Sequence, residues 1–127
     1  MGRQFTILIS DRNRNVREFL KREMMAEGYR VHLAKSGREV LKWAYKQEFI
    51  DLVILDLDLP DTSEIAILEK LENRIPTLPV IIHAFLSDYE NPPAVLNAAA
   101  LVEKKGNSVE RLKKVVSEIL GKSNEDN

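Results

Sequence analysis

The sequence predicts an α/β fold, a doubly wound parallel sheet of five strands, and three observations carry it. Short apolar runs alternate with amphipathic stretches along the whole chain. One run, Leu52-Val53-Ile54-Leu55 between Asp51 and Asp56, is apolar at every position, as a central strand buried on both faces requires. Gly and Pro stand at the ends of the periodic segments rather than inside them. Alternating strands and helices in this order imply right-handed crossovers between parallel strands.

Each element has its own signal. Phe5-Thr6-Ile7-Leu8-Ile9-Ser10 reads as a buried strand ended by Asp11; Val16, Phe19, Leu20 and Met24 then recur at helical spacing until Gly28. Arg30 to Ala34 is a second, weaker strand. Ser36 with Glu39 forms a capping box for a helix whose apolar face is Val40, Leu41 and Ala44. After the third strand, Asp58-Leu59-Pro60-Asp61 is a turn and Ser63 opens a helix bearing Ile65, Ile67, Leu68 and Leu71. Leu78 to Ile82 is the fourth strand, with Pro79 at its start, where a missing N–H does least harm. Asn91-Pro92-Pro93 opens a short helix, Leu101-Val102 belongs to a fifth strand, and Val109, Leu112, Val116, Ile119 and Leu120 line a fifth helix ended by Gly121. One domain over residues 1–121 and a frayed polar tail over 122–127 are expected.

The 127 residues hold no cysteine, which excludes disulfide frameworks and thiol catalysis, and only two histidines, His32 and His83, which argues against a multi-histidine metal site. The formal charge of −1 argues against a basic nucleic-acid footprint. It conceals a segregation: residues 1–50 carry 11 bases and 6 acids, whereas residues 51–103 carry 2 bases and 10 acids. Neither a signal peptide nor a membrane-length apolar run is visible, so a cytoplasmic location is expected.

Ligands of open α/β sheets bind beyond the carboxyl ends of the strands. There the pattern brings Asp11 after the first strand, Asp56 and Asp58 at the end of the third, His83-Ala84 after the fourth and Lys104 at the end of the fifth. Any single acid would pass as a helix cap or turn residue. Three ionisable groups converging on one edge point to a site.

Over residues 5–120 these landmarks resemble the receiver domain of bacterial response regulators: Ile7-Leu8-Ile9-Ser10-Asp11, the run from Asp51 to Pro60, Leu78 to Ile82, and Lys104 before an amphipathic helix. The resemblance implies a flavodoxin-like (βα)5 fold with strand order 2-1-3-4-5. It implies that Asp56 accepts a phosphoryl group as a carboxylate nucleophile. Mg2+ would be held by Asp11, Asp56 and Asp58, the last through its backbone carbonyl, and Lys104 would contact a phosphoryl oxygen. The implied partners are a histidine kinase or phosphotransfer protein and an unknown downstream protein, with no direct contact to nucleic acid or membrane, in a monomer or weak dimer. With no output segment after residue 121, the module would either signal by protein contact or be a fragment of something longer, and it is not expected to be an enzyme.

The sequence also departs from the family. Arg12 stands where a second acid follows the first strand; a guanidinium about 6 Å from a divalent ion would repel it by roughly 5 kcal/mol at an effective dielectric of about 20. That predicts weakened Mg2+ binding, tempered by the freedom of Arg12 to swing outward. Ala84 replaces the switch hydroxyl, Leu101 the aromatic switch, and Lys105 the proline after the lysine; the segment from Ala84 to Lys104 is about two residues short. Phe85 is expected to fill the space of the usual switch loop, Trp43 to pack partly buried, and His83 to pack or meet solvent. The basic run Arg12, Arg14, Arg17, Lys21 and Arg22 is either a solvated face or a docking surface. Two other readings remain: a phosphorylation-independent pseudo-receiver with Arg12 as counterion to Asp56, and a haloacid dehalogenase-like phosphatase using Asp56 and Asp58. A flavin module would need a glycine-bearing phosphate loop, which Arg12-Asn13-Arg14-Asn15 lacks.

Overall fold

The computed structural model describes residues 4–46, 49–56, 59–61, 64–74, 77–85 and 98–121. Among them five strands, β1 (Thr6–Ser10), β2 (Arg30–Ala34), β3 (Leu52–Leu55), β4 (Val80–Ala84) and β5 (Ala100–Glu103), form one parallel sheet in the order β2-β1-β3-β4-β5. Helices α1 (Arg14–Ala26), α2 (Gly37–Ala44), α3 (Glu64–Glu72) and α4 (Ser108–Leu120) flank it. The helix expected from Asn91-Pro92-Pro93 and the tail 122–127 lie outside the described residues.

Strand alternation splits the core in two. Leu8, Val53, Leu55, Val80 and Ile82 face Val40 and Ala44 of α2 and Ile67 and Leu71 of α3. Ile7, Ile9, Leu52, Ile54 and Ile81 face the other way, onto Leu20 and Met24 of α1 and Leu112 and Val116 of α4. Each large apolar side chain removed from water here contributes roughly 1.5–3 kcal/mol. The unbroken apolar run of β3 is thus explained: it pairs with β1 and β4 and has both faces covered.

Helix ends follow local chemistry. The Asn13 side chain accepts from the N–H groups of Asn15 and Val16 at the start of α1, and Gly28, at φ 96°, leads the chain away from its end. Ser36 caps α2 through the N–H of Glu39, as the capping box predicts. The reciprocal bond differs: Glu39 Oε1 accepts from Lys35 N–H, one residue before the cap. The α2 N-terminus also binds a carboxylate that the sequence did not reveal. Gly37 N–H donates to Asp61 Oδ1 at 2.7 Å and Arg38 N–H to Oδ2 at 3.0 Å, bonds that hold the Asp61 carboxyl below the usual range. Asp61 thereby ties the segment after β3 to the start of α2.

One boundary needs correction. The fourth strand runs from Val80 to Ala84, not from Leu78 to Ile82. Pro79 lies before the strand, its carbonyl accepting from Val53 N–H, and pairing with β5 carries the strand on through His83 and Ala84. Trp43 packs as expected, its ring stacked on His32 at 4.0 Å with the Lys46 ammonium 4.4 Å from the ring centre.

Candidate functional site

Two strand ends bring the acids together. Asp11 and Asp56 directly follow β1 and β3, and both are buried, 1% and 2% exposed. Ser10 links them: its hydroxyl donates to the Ile54 carbonyl at 3.1 Å and accepts from Asp56 N–H at 3.4 Å. The Asp11 backbone is held from two sides. Its N–H donates to the Ala34 carbonyl, and its carbonyl accepts from Arg17 Nη1 at 2.7 Å. Its side-chain Oδ1 closes a turn by accepting from Asn13 N–H at 2.9 Å. Sequence reasoning missed the roles of Ser10 and Arg17. A serine at the last position of a buried strand was the available signal, since a buried hydroxyl requires a partner.

Lys104 completes the group from the end of β5. Its N–H donates to the Ala84 carbonyl at 2.9 Å, which brings the fifth strand's end beside the fourth. Its ammonium lies 2.8 Å from Asp11 Oδ2 and 3.4 Å from Asp56 Oδ1, with only 13% of the side chain exposed. Two buried carboxylates therefore share one ammonium. Among the described residues Asp11 Oδ2 has no hydrogen bond of good geometry besides this ion pair.

Arg12 behaves differently from its proposed counterion role. Its N–H donates to Asp56 Oδ2 at 3.3 Å, but its side chain is exposed, and its guanidinium makes no ion pair among the described residues. The cation at the acids is Lys104, because Arg12 begins the turn into α1 and projects outward. Within the basic run, Arg17 is structural, and Arg22 lies 5.7 Å from the centre of the Phe19 ring. Asp58 lies outside the described residues.

The other departures fall where the sequence places them. Ala84 is buried at the end of β4 and offers no hydroxyl; Leu101 is 36% exposed on β5. Lys105 is exposed and pairs with Glu103 at 3.4 Å. His83 faces the α1–α4 side, its Nε2 3.2 Å from Ser108 Oγ at the start of α4. Burial, aided by the Lys104 charge and opposed by Asp56, pushes its pKa down to about 4, so the imidazole is neutral at pH 7.

The donor chemistry suits a hard cation. Among the described residues a single ammonium stands between these two buried carboxylates, and Asp11 Oδ2 has no well-directed donor there. Mg2+ takes one or two carboxylates and retains water for the rest of its octahedron, so Asp11 and Asp56 fit it.

A buried acid pair and a lysine at the carboxyl edge of a 2-1-3-4-5 sheet define a class, and comparison with known proteins agrees. Residues 7–117 match the response regulator receiver domain, and the chain belongs to that family. It is 35% identical over 82 residues to response regulator RR06 of Streptococcus pneumoniae, covering 65% of this chain and 37% of that protein. With response regulator MprA of Mycolicibacterium vanbaalenii it shares 32% over 94 residues, covering 74% and 40%. The chain thus spans about two fifths or less of these relatives' length. Among solved structures it resembles the response regulator protein TrrA of Thermotoga maritima in complex with Mg2+-BeF, with 30% identity, TM-score 0.82, and 91% and 99% of the two chains covered. It also resembles a chain in the complex of histidine kinase ThkA with TrrA, at 31% identity and TM-score 0.81, covering 92% and 99%.

Proposed function

We propose that this receiver accepts a phosphoryl group on Asp56 from a histidine kinase or phosphotransfer protein and signals through protein contacts. The observation that carries this reading is the triad of Asp11, Asp56 and Lys104, buried together at the carboxyl edge of the sheet. A carboxylate oxygen of Asp56 attacks the donor's phosphorus as the bond from phosphorus to the donor breaks. An acyl phosphate forms, and the electron pair leaves with the donor, an imidazole in phosphohistidine or a carboxylate in acetyl phosphate. Arg12 N–H holds Asp56 Oδ2, and Lys104 stands beside Oδ1, placed to neutralise a phosphoryl oxygen as charge develops. Bound Mg2+ would neutralise further charge on the phosphoryl oxygens, with Asp11 and Asp56 as its ligands here and Asp58 as the third expected from the sequence. Because the Arg12 side chain points to solvent, its repulsion of the ion is screened, and binding is weakened rather than abolished.

TrrA's structure with histidine kinase ThkA supports a kinase as the partner, and its Mg2+-BeF complex supports the cofactor. No helix among the described residues is long and apolar enough to cross a membrane. With neither the hydroxyl at position 84 nor the aromatic ring at 101, the phosphoryl group would be relayed to the surface by other contacts than the usual pair. A phosphorylation-independent module, in which Lys104 would serve only to neutralise the two acids, is the less favoured reading. The phosphatase reading is set aside by the placement of Asp56 after the third strand and by membership of the receiver family. Incubation with acetyl phosphate and Mg2+, read by intact mass, is expected to add one phosphoryl group. No gain under conditions that label TrrA would overturn the proposal.

A further inference from the structure

The ammonium of Lys104 has a third neighbour. Phe85 directly follows β4, and its ring centre lies 5.3 Å from Lys104 Nζ, while the two carboxylates stand at 2.8 and 3.4 Å. The bond from Lys104 N–H to the Ala84 carbonyl sets this neighbourhood, since it locks the residue before Phe85 to the backbone of Lys104. Phe85 is 51% exposed, so the ring lies at the rim of the site rather than in the core. Its inner side borders a groove of about 410 Å³, which it shares with Val16, Phe19, Leu20 and His83.

We infer that Phe85 is a positioning residue for Lys104: its ring face holds the ammonium over the acid pair. Lysine carries four flexible torsions, and free rotation would spread the ammonium over many positions. The carboxylates draw it from one side and the negative face of the aromatic ring from another. Ala84 has no hydroxyl to offer a phosphoryl oxygen, and the Lys104 ammonium stands beside Asp56 Oδ1, so its placement bears on transfer. The rate consequence rests on the proposed phosphorylation of Asp56; the contact itself does not.

Three variants separate the ring's electrostatics from its bulk. Phe85→Leu keeps an apolar side chain without a π face, Phe85→Trp strengthens the π face, and Phe85→Ala removes both. The first readout is the Lys104 Hε resonance in unphosphorylated protein, assigned against Lys104→Arg. It is expected upfield in wild type through the ring current, at its ordinary position in Phe85→Leu and Phe85→Ala, and still upfield in Phe85→Trp. The second is the rate of labelling by acetyl phosphate, expected to fall about fivefold in Phe85→Leu and to be retained in Phe85→Trp. A Lys104 resonance that is the same in wild type and Phe85→Leu overturns the inference, as does an equal rate loss in all three variants. If wild type takes no phosphoryl group, the proposed function fails and the resonance alone decides the role of Phe85.

Discussion

Replacing Lys104 with methionine removes the one cation that stands, among the described residues, between two carboxylates that are 1% and 2% exposed. At an effective dielectric of about 20, a unit charge pair at 3.4 Å attracts by roughly 5 kcal/mol, and the pair at 2.8 Å by roughly 6. Desolvation of the three charges already offsets much of this attraction, so the sum is not the loss to expect. Removing one member of a buried ionic group costs about 3–5 kcal/mol, and the lower end applies here because the lysine is 13% exposed. Lys104→Met should therefore destabilise the fold by about 3 kcal/mol at pH 7 in EDTA. With a urea m-value of roughly 1.5 kcal/mol per molar, the unfolding midpoint falls by about 2 M. The deficit should shrink on adding Mg2+, which replaces the missing positive charge. An unchanged midpoint in EDTA, or a midpoint indifferent to Mg2+, would refute the view that the two acids depend on Lys104 for their neutralisation.

Asp56→Asn removes one of the two carboxylates beside the Lys104 ammonium and should stabilise the fold by about 1 kcal/mol, a rise of roughly 4 °C by calorimetry; a fall would contradict mutual repulsion of the acids. His83 titrates near 4 in the folded protein against 6.5 in the unfolded chain, so the unfolded state alone takes up its proton between these values. Stability from this group is complete above pH 6.5 and lost as pH falls toward 4, by about 3 kcal/mol, and His83→Gln should remove that part of the slope in urea titrations. Arg12→Asp should tighten Mg2+ binding by about tenfold in calorimetric titration, and unchanged affinity would mean that position 12 does not sense the ion. Asp61→Ala leaves two N–H groups at the start of α2 without their carboxylate, with an expected loss of about 1 kcal/mol in thermal unfolding.

The fold was legible because its strongest signals are one-dimensional. Burial on both faces writes β3 as an unbroken apolar run, and the switch from strand to helical periodicity marks the rest. The extension of β4 was not legible, because it depends on pairing with β5, from Ile81 with Ala100 to Ala84 with Glu103, and no local preference at His83 declares that pairing. The acids and the lysine of the site could be read because each ends a strand, and parallel topology brings such ends to one edge. Their connections could not. Ser10 bridging to Ile54 and Asp56, Arg17 reaching the Asp11 carbonyl, and Asp61 binding the start of α2 are side-chain contacts to distant or turned backbone, set by tertiary geometry. Arg12 illustrates the limit most clearly. Its position in the sequence left the guanidinium either at the acids or swung toward solvent; in the fold its side chain is exposed and its N–H is on Asp56.

The central claim is that Asp56 is the nucleophile. Labelling with acetyl phosphate and Mg2+, reduction of the acyl phosphate with borohydride, and peptide sequencing by mass spectrometry locate the modified residue directly. Reduction is expected to convert Asp56 alone to homoserine, with no label in Asp56→Asn. Homoserine at Asp11 or another carboxylate, or a label that persists in Asp56→Asn, would contradict it.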